Sequence, residues 1–241
     1  MHNSIFMHNF QIMQESMPAT TVSEQACQAL RQDVLSGRHA PDGKLKLDAL
    51  QTLYGFSSSP LREALNRLVQ EGLVQADERR GFRVTPISPA DLADITKMRL
   101  MLDIPALTES IQAGDDAWEA DIVAAFHRLE KIESRLPQGP VVLDAEWSRR
   151  HRDFHLAMIA ACPSERQRAW SMSLFDQAER YRHFAARHRT VPKKKDDEHR
   201  ALMNAVLRRD AKTAAVLLSE HISSTQANVL AAFKRQAQAR A

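Results

Sequence analysis

Three features of the sequence predict a mainly α chain built in two unequal parts. The first is the stretch Phe56-Ser57-Ser58-Ser59-Pro60-Leu61-Arg62-Glu63-Ala64-Leu65-Asn66-Arg67-Leu68, where helix-starting residues run into apolar positions at helical spacing. The second is a change of period after Gly72, where two short apolar runs flank a charged turn. The third is a series of helical patterns from Ser88 to the C-terminus. Together they give a winged helix-turn-helix over residues 21–87 and an all-α bundle of six or seven helices over residues 88–241, after a loose leader of residues 1–20.

In chain order, the leader is rich in Met, Asn and Gln without periodicity, and Met17 could itself be the natural start. A first helix is expected from Ser23 to Ser36, with Ala26, Leu30, Val34 and Leu35 as its apolar stripe and Gly37 as its stop. Pro41-Asp42-Gly43 is a turn, and Leu47 to Tyr54 a short helix ended by Gly55. In the next helix Ser59 is the expected cap, Pro60 fills a position whose missing N–H costs nothing, and Glu63 lies in the first turn. Leu61, Ala64, Leu65 and Leu68 then form a packing face, leaving Arg62, Asn66 and Arg67 outside it. Leu73–Ala76 and Gly81–Pro86 form the wing around Asp77-Glu78-Arg79-Arg80.

Ser88-Pro89 opens the second part. Its helices are expected from Pro89 to Gly114, with a kink at Pro105, then at 116–136, 144–161, 164–187, 196–208 and 211–236. Loops fall at Pro137–Pro140 and Thr190–Lys195.

A chain of 241 residues that is 44% hydrophobic can bury one small and one larger core. No run approaches the roughly 18 apolar residues of a membrane span, and a cytoplasmic protein with no membrane partner is expected. Cys27 and Cys162 read as ordinary buried thiols. The net charge is only +3, but Arg62, Arg67, Arg79, Arg80 and Arg83 gather around the candidate helix and wing, the electrostatic footprint of a nucleic-acid site.

Residues 23–86 resemble the winged helix-turn-helix of the GntR family of bacterial transcription regulators. The resemblance rests on Ser57-Ser58-Ser59-Pro60-Leu61-Arg62-Glu63-Ala64-Leu65, then Glu71-Gly72-Leu73-Val74, then Arg80-Gly81-Phe82. It implies a sequence-specific binder of double-stranded operator DNA, acting as a homodimer with the second helix in the major groove and the wing tip in the minor groove. Ser58 stands where the family puts a base-reading Arg, and Asp48 where another often opens the preceding helix. Arg62 is retained and becomes the main base contact, since Arg reads guanine bidentately. Ser57 and Ser59 are the phosphate candidates, Ser58 and Arg67 neighbour them on the reading helix, and Arg80 with Gly81 forms the wing tip.

With the bundle included, residues 23–236 resemble the FadR-type branch, which carries an FCD effector domain. That branch commonly holds a divalent metal with an Asp four residues before a Phe-His pair and two later histidines. Here the pair is Phe154-His155, the later histidines are His199 and His221, and His151 replaces the Asp. Independently of the family, His151 and His155 share a helical face, and imidazoles from three helices meeting in a bundle suit Zn or Ni. Asp153 should face elsewhere, and His127, His183 and His188 read as ordinary helix or surface residues. Arg99 occupies an often inward family position, and Tyr181 and Arg182 could complete a wall around a small organic acid, dicarboxylates among the candidates.

An enzyme is not expected: no carboxylate stands out as a base beside the histidines, and there is no nucleophile motif or Gly-rich phosphate loop. A DNA-binding protein with a merely structural bundle is the other alternative, and it would lack coupling between ligand and operator.

Overall fold

The computed structural model describes residues 20–77, 81–135, 144–188 and 198–238. The leader up to residue 19, the wing tip with Arg80, the loops at 136–143 and 189–197 and the last three residues lie outside the described residues.

The N-terminal part comprises α1 (Val22–Leu35), β1 (Lys44–Leu45), α2 (Leu47–Tyr54), α3 (Ser58–Gln70), β2 (Val74–Asp77) and β3 (Gly81–Val84). The strands form one antiparallel sheet in the order β1-β3-β2, with Ala76 opposite Phe82 and Lys44 opposite Arg83. Gly55 ends α2 in the left-handed region at φ 73°, where a residue with a Cβ would be strained. This gives α2 its abrupt stop and lets α3 cross it.

The start of α3 differs from expectation. Ser57, not Ser59, occupies the cap position, with extended backbone and no side-chain cap bond, and Ser58 is the first helical residue. Pro60 is therefore third in the helix, still among the residues whose amide has no intrahelical acceptor, so its missing N–H remains harmless. Glu63 falls past the first turn and instead accepts a 2.5 Å bond from Ser23 Oγ on α1. Three consecutive serines offer near-equivalent caps locally, and packing against α1 fixes the register.

The bundle comprises α4 (Pro89–Ala113), α5 (Asp116–Glu133), α6 (Ala145–Met158), α7 (Glu165–Arg187), α8 (Glu198–Leu207) and α9 (Ala211–Gln238), six helices among the described residues. Five begin with side-chain caps: Ser88 accepts from the Asp91 amide, Asp115 from Trp118, Asp144 from Trp147, Ser164 from Gln167 and Asp210 from Thr213. Of the six- and seven-helix alternatives the first holds, since α4 runs as one helix through Pro105. Proline there deprives the Met101 carbonyl of its donor, and Met101 is 58% exposed, so water can serve instead.

Separate cores follow from the apolar stripes. Leu30, Leu61, Leu65, Leu68 and Leu73 centre the N-terminal core, and Leu107, Ile122, Phe154, Met158 and Leu202 centre that of the bundle. A third cluster of Leu92, Ile95, Tyr181, Ala185 and Val229 joins α4, α7 and α9 near the N-terminal part. No helix among the described residues is long and apolar enough to cross a membrane.

Candidate functional site: an exposed reading helix and a buried histidine cluster

Helix α3 divides cleanly. Leu61, Ala64, Leu65 and Leu68 are fully buried, whereas Ser57, Ser58, Ser59, Arg62, Asn66 and Arg67 are exposed. Arg62 thus stands on the solvent face of a helix whose other face is locked into a core. Gly81 follows the wing tip in the left-handed region at φ 82° and is exposed, as a close approach to DNA requires. A polar network not foreseen from sequence fixes the elements behind α3. Tyr54 donates a 2.5 Å bond to Asp33 and lies 2.9 Å from His39 Nε2, tying the end of α2 to α1, and Arg31 pairs with Glu71 at the end of α3.

In the bundle, His151 and His155 on α6, His199 on α8 and His221 on α9 converge, and one ligand nitrogen from each lies within 4.8 Å of the others. All four are buried. His151 Nε2 and His155 Nε2 are 3.1 Å apart. Buried Nε2 atoms of His199 and His221 have no hydrogen-bond partner, nor has Nδ1 of His151. Leaving such atoms bare in an apolar interior is costly.

Two carboxylates stand behind the cluster. His221 donates from Nδ1 to Glu198 at 3.0 Å, which leaves its Nε2 as the lone-pair nitrogen, and Glu133 lies 3.7 Å from His199 Nδ1. Glu198 is the sequence neighbour of His199, so the Glu-His dipeptide was the available signal for it. Burial, then the neighbouring His155 and Arg182, holds His151 well below the ordinary histidine range. Burial, then His221 and His199, does the same for His155. Burial lowers His221 to about 4, with Glu198 opposing. Imidazoles with bare nitrogens, and carboxylates orienting two of them from behind, fit a borderline-soft divalent ion such as Zn or Ni.

Beside the cluster is a cavity of about 20 Å³, lined by Arg99, Asp103, His155 and Ser171 and by apolar side chains including Leu107, Phe175 and Leu218. Its volume admits about one water molecule. Arg99 is 3% exposed and donates from Nε to Asp103 at 3.0 Å. Its guanidinium lies 5.1 Å from the centre of the Phe175 ring, and that of Arg182 lies 4.3 Å from the same ring. The Phe175 ring centre is in turn 5.3 Å from that of His155.

Residues 22–84 match the description of bacterial regulatory proteins of the gntR family, and residues 94–224 match the FCD domain. The chain belongs to the GntR family of transcriptional regulators, with an FCD domain. The HTH-type transcriptional regulator BphR of Paraburkholderia xenovorans is 39% identical over 84% of this chain and 82% of its own length. The HTH-type transcriptional repressor GlaR of Escherichia coli is 36% identical over 80% of this chain and 89% of its own. The solved structure of E. coli McbR/YncC covers 89% of this chain and 100% of its own, with a TM-score of 0.75 at 18% identity, a likeness of fold. These domains and relatives are those of DNA-binding regulators, not of enzymes.

Within this GntR-family fold the histidines at 151, 155, 199 and 221 come together, and Arg99 reaches the cavity beside them. Arg182 is buried and stacks on Phe175, but its nearest ion partner is Glu179. Tyr181 is elsewhere. Its hydroxyl bonds Asp91 and accepts from the Ser88 amide at 3.1 Å, making it a tie at the junction of the two parts and not a wall of the cavity. Adjacent helical residues point about 100° apart, so Tyr181 and Arg182 cannot share one wall. Asp153 is turned outward toward Arg150, as its spacing required. His183 is a buried residue of α7, 3% exposed, in contact with Ser148 and Glu179 and apart from the histidine cluster.

The depressed histidines carry a pH consequence for the metal-free protein. Their unfolded values lie near 6.5 and their folded values below, so protons bind the unfolded chain more tightly. Stability is therefore fully present above about pH 6.5 and is lost as pH falls toward 4, on the order of 3 kcal/mol from His221 alone. Urea unfolding of chelator-treated protein at pH 7.5, 5.5 and 4.5 measures it, and a flat profile between pH 7.5 and 4.5 contradicts it.

Proposed function

We propose that this regulator is a homodimeric repressor that binds a pseudo-palindromic operator and is released by a small organic acid bound beside the four histidines in the bundle. The observation that carries the reading is the cavity that sets a buried guanidinium, Arg99, against His155 of a cluster with bare nitrogens. Asp103 pairs Arg99 through its Nε, and the guanidinium lining the cavity beside His155 is the cation that would meet a carboxylate. The sense of control is supported by the relatives named as repressors, GlaR and RspR of E. coli.

A divalent metal held by His151, His155, His199 and His221 would supply a Lewis-acidic centre for a carboxylate oxygen. With His151 in place of an Asp, such a site has no anionic ligand among the four, which favours ions suited to imidazole over Mg or Ca. Arg99 orients the carboxylate by charge-assisted bonds, and Leu107, Phe175 and Leu218 exclude water around it. On DNA, Arg62 reads base edges, Ser57, Ser58, Ser59 and Arg67 meet the backbone, and the wing tip at Arg80-Gly81 enters the adjacent minor groove.

Pairing of two copies is assigned to the outer face of α4 and α7. Met101 and Trp170 are 58% and 61% exposed there, and the 2.9 Å bond from Gln167 to the Leu102 carbonyl sets these stretches side by side. Sedimentation of the Trp170→Asp, Met101→Asp double variant is expected to show a monomer where the wild type is a dimer, and an unchanged dimer excludes this face.

A thermal-shift screen of zinc-loaded protein against mono- and dicarboxylates tests the ligand class. Upward shifts of several degrees are expected for at least one acid at 100-fold excess over its Kd, from about 2.7 kcal/mol of binding stabilisation. Failure of every acid overturns the class.

A further inference from the structure

Helix α7 touches both halves of the molecule, and its two working faces are nearly in register. On one face Ser171 and Phe175 line the cavity, and the Phe175 ring lies against His151 and His155 with centroid distances of 5.5 and 5.3 Å. On the other, Gln177 Nε2 donates to the Glu71 carbonyl at 3.1 Å and to Ser173 Oγ at 3.3 Å. Glu71 is the C-cap of the reading helix α3. Gly72 follows at φ 73°, and a Cβ built on it would lie 3.0 Å from Gln177 Nε2, so the amide is seated directly on the turn that ends α3. Residues 175 and 177 are separated by about 3 Å along the helix axis and by about 200° around it. Asp176 between them is held by Arg152, the neighbour of His151, through bonds of 2.6 and 3.1 Å.

We propose that Gln177 is a positioning residue that transmits the state of the histidine site to the reading helix. The inference rests on the reading of that site as a ligand site. The Phe175 ring packs on His151 and His155, so drawing those imidazoles onto a common ion shifts the wall that α7 supplies. A helix moves as a rigid element over two residues. Displacement at Phe175 is therefore delivered through the Gln177 amide to Glu71–Gly72, changing the placement of α3 relative to the bundle. The other ties across the junction, Arg180 to the Thr85 carbonyl at 2.7 Å and Arg187 to the Ser36 and Gly37 carbonyls, hold the linker and the end of α1. Gln177 alone among these grips the end of α3.

The test uses the full chain with zinc as the probe. Zinc affinity is measured by calorimetry, and amide hydrogen exchange over residues 67–74 is followed with and without zinc in wild type, Gln177→Ala and Gln177→Glu. Gln177 is half-buried, so neither variant threatens folding, and the Glu form keeps the shape while replacing the donor with an acceptor. The expected result is zinc affinity equal within about twofold in all three proteins, a zinc-dependent change in exchange at 67–74 in wild type, and loss of at least four-fifths of that change in both variants. Equal zinc binding with the wild-type response intact in the variants, or with no response at 67–74 in any protein, overturns the coupling while leaving the site standing. Absence of zinc binding in all three overturns the site and the coupling with it.

Discussion

Arg62→Ala is expected to remove specific operator binding while leaving the fold intact. Arg62 is exposed on α3, and the buried face of that helix, Leu61, Ala64, Leu65 and Leu68, does not depend on it. Each bidentate Arg–guanine pair contributes about 1–3 kcal/mol of discrimination, and the proposed dimer would present two, so affinity for a duplex selected by the wild-type chain should fall roughly 30- to 20,000-fold. Binding to random duplex should fall only a few-fold, because that term is carried by phosphate contacts. Fluorescence anisotropy on both duplexes measures the two effects, and an equal loss on both would make Arg62 a phosphate contact instead.

The second large effect concerns the metal. His199→Ala combined with His221→Ala removes the donors of α8 and α9 and leaves only the pair on α6. Stoichiometric zinc binding should be lost, with affinity down at least about 100-fold, since even orienting groups behind ligands are worth 10- to 100-fold. Metal analysis of untagged protein after zinc loading and dialysis reads this directly. Retention of one zinc per chain by the double variant would place the ion elsewhere.

The fold was largely legible because its punctuation is local. Gly55, Ser88, Asp115, Asp144 and Ser164 act through bonds within one helical turn, and apolar spacing set the faces of α1 and α3. Where several local choices were equivalent, as in Ser57-Ser58-Ser59, packing chose Ser57, two residues before the expected Ser59. Pro105 leaves α4 a single helix because its cost falls on an exposed turn.

The site was legible in part for a different reason. His151 and His155 are paired by helical spacing, but nothing local brings His199 and His221 to them, and that placement was inferred by resemblance. Glu133 and Glu198 were missed because their role exists only once α5, α8 and α9 pack together. Tyr181 was misplaced because proximity in sequence to Arg182 says nothing about direction around α7. The Asp33–Tyr54–His39 network was missed because it joins residues up to 21 positions apart.

In the proposed mechanism, occupancy of the bundle site controls the reading helix. Its most direct measurement is the affinity of the zinc-loaded protein for its selected duplex as a stabilising carboxylate is titrated, at a salt concentration held constant. The expected result is a saturable weakening of at least tenfold, with a midpoint matching the acid's own Kd. An operator affinity unchanged while the acid saturates the protein would contradict it and leave the bundle a structural appendage to the DNA-binding part.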